Sequence, residues 1–176
     1  TPLRLYVEAL GGVLQPLLAG SCRVAVIGSL PDLPAGCAAE YLLSVGAVAV
    51  VSPDHPLAKI AGPLLRSVVQ EQVQLVLADR STLTAGRNFG VMSGKTWRIG
   101  DMGAKHAFLR AGLGWGYMPL PMVEEDLASG RLVALNLQMQ PDVGAGFSMY
   151  AVHLREYPPG PAGRWFINKL KAHANE

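Results

Sequence analysis

Ser81, Thr82 and Thr84 stand together after an apolar run, with Arg80 and Arg87 beside them. Hydroxyls and a forked guanidinium at that spacing can hold a carboxylate; the same composition also describes an ordinary solvated loop. Asp101 precedes a helical pattern and is suited to cap it. The free N–H groups of Met102 and Gly103 behind it would attract an anion if that helix start faces a cleft. Other chemistry is harder to assemble. His55, His106, His153 and His173 have no second metal ligand at helical spacing, no HExxH is present, and no nucleophile is matched with a base. His106 reads as structural or cleft-facing. Glu124, Glu125 and Asp126 read as a solvated helix face, favoured near a helix start. Gly112, Gly114 and Gly116 follow a helix and precede a strand, the reverse of a dinucleotide-binding order. They are expected to serve tight turning and close backbone packing.

The elements that must position these residues come from a chain of 176 residues, 50% hydrophobic and 16% charged, which can build a packed core in one large domain or two small lobes. The net charge of +2, with no Lys/Arg run, excludes direct nucleic-acid binding by this segment. Cys22 and Cys37 fit no zinc spacing. They read either as two small buried side chains in a reducing compartment or as a redox-sensing pair. No apolar stretch reaches the roughly 20 residues needed to cross a bilayer; the longest, Leu42 to Val51, is interrupted by Ser44 and Gly46. The abrupt start at Thr1-Pro2 suggests an N-terminal truncation.

Leu3, Leu5 and Val7 alternate with polar neighbours and predict a strand. Gly11-Gly12 opens a short helix through Leu18, with Pro16 tolerated early and Gly20 as its stop. Val24–Ile27 and a long apolar stretch within Glu40–Ser52 read as strands, and Gly28–Gly36 as loop. Leu64–Gln72 looks helical and Val73–Ala78 extended, and Trp97–Ile99 is a short strand. A helix from Asp101 to Gly112, a strand at Trp115–Met118, a helix at Met122–Ala128 and a strand at Leu132–Leu137 follow. Phe147–Leu154 is a last strand and Ala162–His173 a last helix, its Trp165, Phe166 and Leu170 at helical spacing. This order is α/β.

Four segments, taken in order, resemble the C-terminal effector-binding domain of LysR-type transcriptional regulators: LLAGSCRVAVIG, VVSPDHPLA, AGLGWGYMPLPMVEEDLASGRLVAL and MYAVHLREYPPGPAGRWFINKL. The third is the most specific, and together they cover nearly the whole chain. Two departures stand out: Arg23 lies where the family usually has an acidic residue, and the first strand and helix of the first lobe are missing.

The resemblance implies a two-lobed, type 2 periplasmic-binding-protein-like α/β fold, its first lobe truncated at the N-terminus. Lobe one would be residues 1–51 and 147–176, and lobe two residues 52–146. The chain would cross between them near Ser52, in the cluster of Pro53, Pro56 and Pro63, and near Gly146. Effectors in such folds sit at strand ends and helix starts. The expected effector-binding set is therefore Gly11, Gly28, Ser29 and Leu30 in lobe one, and Arg80, Ser81, Thr82, Gly100, Asp101 and Met102 in lobe two. The implied role is small-molecule sensing by a cytoplasmic regulator, with a carboxylate the expected effector class. A homodimer or homotetramer is expected, with promoter DNA contacted through a separate N-terminal domain. No catalysis, metal, cofactor or membrane contact is expected. The competing reading is a solute receptor of a transport system on the same fold, which a secretory signal upstream would favour.

Overall fold

A computed structural model describes residues 3–28, 33–84, 89–138 and 146–173. The chain divides into two compact units. Thr1–Ser44, Asp79–Ala85 and Ser148–Glu176 form the first, and Val45–Ala78 with Gly86–Phe147 the second.

In the first unit, a 3₁₀ turn η1 (Leu10–Leu14) runs into α1 (Gln15–Leu18). The expected helix is thus split. Pro16 has no N–H to return to the preceding turn, and Gly20, at φ +74°, ends the segment where expected. β1 (Ala25–Gly28), β2 (Cys37–Val45) and β8 (Phe147–Leu154) form a sheet in the order β1-β8-β2. β1 and β8 are antiparallel, with Ala25 opposite Val152. α5 (Pro161–His173) sends Ile167 into a core with Leu42 and Ala151. A second core gathers Leu14, Leu17, Ile27, Cys37 and Val152. Glu40 on β2 accepts hydrogen bonds from Arg164 and Lys171 of α5, which tie the helix to the sheet. Leu3–Val7 joins no ladder among the described residues, and Leu3, Leu5 and Val7 are exposed. Alternation gives a segment the shape of a strand, but only a neighbouring strand completes its hydrogen bonds.

The second unit contains β3 (Ala47–Val51), β4 (Gln74–Leu77), β5 (Thr96–Ile99), β6 (Gly116–Pro119) and β7 (Val133–Ala134). β3 lies between β6 and β7, antiparallel to both. β4 and β5 are parallel, and a parallel bridge from Gln74 to Trp115 carries the arrangement on to β6. η2 (Pro56–Lys59), α2 (Arg66–Val69), α3 (Met102–Arg110) and α4 (Leu120–Ala128) complete it. Trp115, fully buried, packs with Val51, Leu57, Leu64 and Val69.

The units depart from the expected lobes at Val45–Val51, at Asp79–Ala85 and, by one residue, at Phe147. Gly46 ends the long strand early, and β3 goes with the second unit because its partners are β6 and β7. Asp79–Ala85 goes with the first unit, where Leu83 packs against the Leu14–Val152 core. β8 matches its expected span and pairs with β1, not with β5 or β6. No helix of the described residues is long and apolar enough to cross a membrane.

Candidate functional site

In the first unit the polar centre is Asp79, immediately after β4 in the chain. Its Oδ2 accepts from the Gly11 N–H at 3.0 Å and from the Thr84 hydroxyl, and its Oδ1 accepts from the Ser81 N–H at 2.7 Å. Ser81 Oγ accepts in turn from the Leu83 N–H. Burial pushes the Asp79 carboxyl up, but the bonds from Thr84, Ser81 and Gly11 outweigh it and hold the group below its ordinary value. Gly11 is required there: a Cβ would stand 2.7 Å from Asp79 Oδ2 and 2.9 Å from the Leu83 side chain. Leu10 before it sits at φ +50°, a strained conformation for a bulky residue.

In the second unit β5 leads through Gly100 to Asp101, whose Oδ1 accepts from the Ala104 N–H at 2.6 Å and caps α3 as expected. Gly112, at φ +74°, closes that helix. Lys105, in the first turn, is 5% exposed and donates from Nζ to the Tyr117 carbonyl at 2.7 Å. Burial pulls its ammonium down to about 8. Gly114 and Gly116 serve close packing: a Cβ on either would lie 2.6 Å from a β4-side carbonyl, of Val73 or Leu75.

Of the expected site residues, Gly11 and Ser81 are brought together on Asp79, although they were assigned to different lobes. Arg80 and Thr82 are exposed, and Gly28 ends β1. Ser29 and Leu30 lie outside the described residues. Gly100, Asp101 and Met102 stand together at the start of α3. Asp79 itself was missed, although an Asp two residues before a Ser, just past an apolar strand, has the spacing of a local side-chain turn. Lys105 was missed too; its signal is a position three after Met102 and four before Leu109, on the stripe that packs inward.

Asp126 corrects the expectation of a solvated acidic face. It is 3% exposed, and its carboxylate is held by His106, Arg131 and Arg110. The turn after Gly130 folds Arg131 back, and α3 supplies His106 and Arg110, so the acid faces α3. His106 is thereby structural. Cys22 and Cys37 are free thiols, each pushed up mainly by burial and so less reactive than an ordinary cysteine. Among the described residues, no group of three or more His, Cys, Asp or Glu could hold a metal ion.

Comparison with known proteins adds the family. The model of the LysR substrate binding domain matches residues 2–175. The RuBisCO operon transcriptional regulator of Allochromatium vinosum is 28% identical over 170 residues, which are 94% of this chain and 56% of that protein. The chain thus spans about half the length of the curated relatives it matches. Among solved structures, the regulatory domain of MetR, a LysR family regulator from N. meningitidis, superposes with a TM-score of 0.69 at 14% identity, over 92% of this chain and 75% of that one. The effector-binding domain of QuiR in complex with shikimate gives 0.67 at 15%, over 95% and 79%. The fold is that of LysR regulatory domains, and with the family match running almost from end to end, the chain belongs to the LysR substrate-binding domain family.

Proposed function

We propose that this chain is the sensing part of a LysR-type transcriptional regulator and carries no catalysis of its own. It binds a small anionic metabolite, a carboxylate by preference, and passes that event to promoter DNA through the DNA-binding domain of the full-length regulator. The observation that carries this reading is the family match over residues 2–175. The α3 start supports it with an ordered cap that leaves N–H groups at the carboxyl end of a parallel strand. The effector set proposed from the sequence is kept, with one change of role. The Gly11 and Ser81 N–H groups already serve Asp79, so they shape the site and do not grip the effector.

The regulator acts in the cytoplasm as a homodimer or homotetramer, since promoter half-sites are read by symmetric assemblies. The curated relatives matched here are named as regulators, which favours this reading over a solute receptor. The test is promoter-DNA binding by the full-length protein, with and without a panel of small carboxylates, with sedimentation at micromolar concentration alongside. A DNA-binding oligomer whose affinity or footprint changes with a carboxylate is expected. A monomer indifferent to DNA would overturn the proposal.

A further inference from the structure

β7 leaves one edge of its sheet open. Val50 faces Ala134 across the β3–β7 pair, and the Leu135 N–H donates to the Ala49 carbonyl. Hydrogen-bonded and non-bonded pairs alternate along an antiparallel ladder, so the N–H and C=O of Ala134 point away from β3, as do those of Asn136 and Gln138. Leu64 takes up part of this edge. Its N–H donates to the Asn136 carbonyl at 2.7 Å, and its carbonyl accepts from the Gln138 N–H at 3.0 Å. The pairing stops after that one bridge because the chain turns off at Gly62, φ +85°. The N–H and C=O of Ala134 and the N–H of Asn136 are left without a partner among the described residues.

A groove of about 240 Å³ lies at that gap, with Leu57, Ile60, Leu64, Val133, Ala134 and Asn136 in its lining. Leu57 and Leu64 are buried, while Ile60 and Val133 are 45% and 37% exposed and leave apolar surface open. Apolar surface beside an unpaired strand edge is what an added strand covers. The charge here is one-sided. Residues 57–66 and 131–138 carry Lys59, Arg66 and Arg131 and no acid. Arg131 is held by Asp126 and Glu125. Lys59 and Arg66 are exposed and have no ion pair among the described residues.

We propose that this groove docks an extended segment of a partner protein, apolar at alternate positions and flanked by Asp or Glu, which adds to β7 as a strand. The inference is separate from effector sensing and uses none of the residues assigned to it. Main-chain bonds to Ala134 and Asn136 hold the segment, its alternate apolar side chains cover Ile60 and Val133, and its acids meet Lys59 and Arg66. A backbone offers donors and acceptors at the strand spacing of the three open groups, which a small apolar ligand does not. The edge from Val133 to Asn136 is short, so the segment is a short linear motif.

The test pans a phage-displayed library of random octapeptides against the full-length regulator. Two variants at exposed positions, Ile60→Asn and Lys59→Glu with Arg66→Glu, are compared with it after thermal unfolding has shown them folded. Selection on the wild type is expected to enrich sequences that alternate apolar residues and carry Asp or Glu at their ends. The leading peptide, made synthetically, is expected to bind at least tenfold more weakly to each variant. In the wild type it is expected to slow hydrogen exchange at the Ala134 and Asn136 amides, which a peptide bound elsewhere leaves unchanged. Enrichment of nothing, of sequences without acids, or of peptides that bind all three proteins alike would overturn the inference. Protection of those two amides by octanoate would overturn it in favour of a small-carboxylate site. Amides already protected in the free protein, with a smaller assembly for Ile60→Asn in sedimentation, would overturn it in favour of a second copy of the chain.

Discussion

Two side chains carry most of the chemistry. Lys105 is charged at neutral pH against a penalty: the fall from 10.5 to about 8 corresponds to roughly 3 kcal/mol acting against the ammonium in the folded state. Because the folded value is the lower one, the stabilising side of this balance is present above 10.5. It is lost as pH falls toward 8 and is absent at pH 7. Lys105→Met is therefore expected to raise stability at pH 7 by about 1–3 kcal/mol, less what the lost Tyr117 bond contributed. Urea unfolding from pH 7 to 10.5 should show wild-type stability gaining on that of K105M across the range, whatever slope the buried thiols give both proteins; parallel curves would refute the argument. Asp79 behaves in the opposite functional sense. Its three hydrogen bonds join Gly11, Ser81 and Thr84, which lie as far as 68 residues away from it in sequence. Asp79→Ala strands those donors and should cost about 2–3 kcal/mol. Thr84→Val should cost about 1 kcal/mol, and the double variant less than the sum, because both remove one shared bond. The contribution of Asp79 is present above its unfolded value and lost as pH falls through its lowered folded value, so Asp79→Ala should lose part of the acid sensitivity of the wild type.

At the level of elements, local signals were the most readable. The cap at Asp101, the stop at Gly112 and the span of β8 follow the sequence reading because each depends on residues within a turn or on a simple alternation. The glycine run before β6 shows how far such reading goes. Its spacing argued against a phosphate loop and for close packing, but only the structure gives the partners, the carbonyls of Val73 and Leu75. Gly116→Ala should cost more than about 2 kcal/mol, since its Cβ would stand 2.6 Å from a backbone carbonyl that cannot rotate away. Gly130→Ala offers the contrast: nothing lies near its Cβ and only its φ of +73° resists, so about 1 kcal/mol is expected. Thermal unfolding of the two variants side by side checks the ranking, and a Gly130 variant as damaged as the Gly116 one would contradict it.

For the molecule as a whole, the two units have separate cores. Ile167 packs with Leu42 and Ala151 in the first, Trp115 with Val51 and Leu57 in the second. Ile167→Ala is expected to cost about 2–4 kcal/mol. Hydrogen exchange should place that loss in the amides of β1, β2 and β8 while those of β3 and β6 keep their protection; uniform loss across both sets would show one cooperative unit instead. By itself the sequence determined the α/β class, the family resemblance, most element positions and the α3 start, because periodicity, caps and turn residues act over a few neighbours. Only the tertiary structure decided that β3 joins the second unit, that Leu3–Val7 stays outside a ladder, and that Asp126 is buried under two arginines and a histidine. It likewise decided that Asp79 occupies donors expected to face an effector and that Lys105 is a buried charge. Each of those outcomes turns on which distant group arrives beside a side chain, and burial and charge pairing are properties of that neighbour as much as of the residue itself.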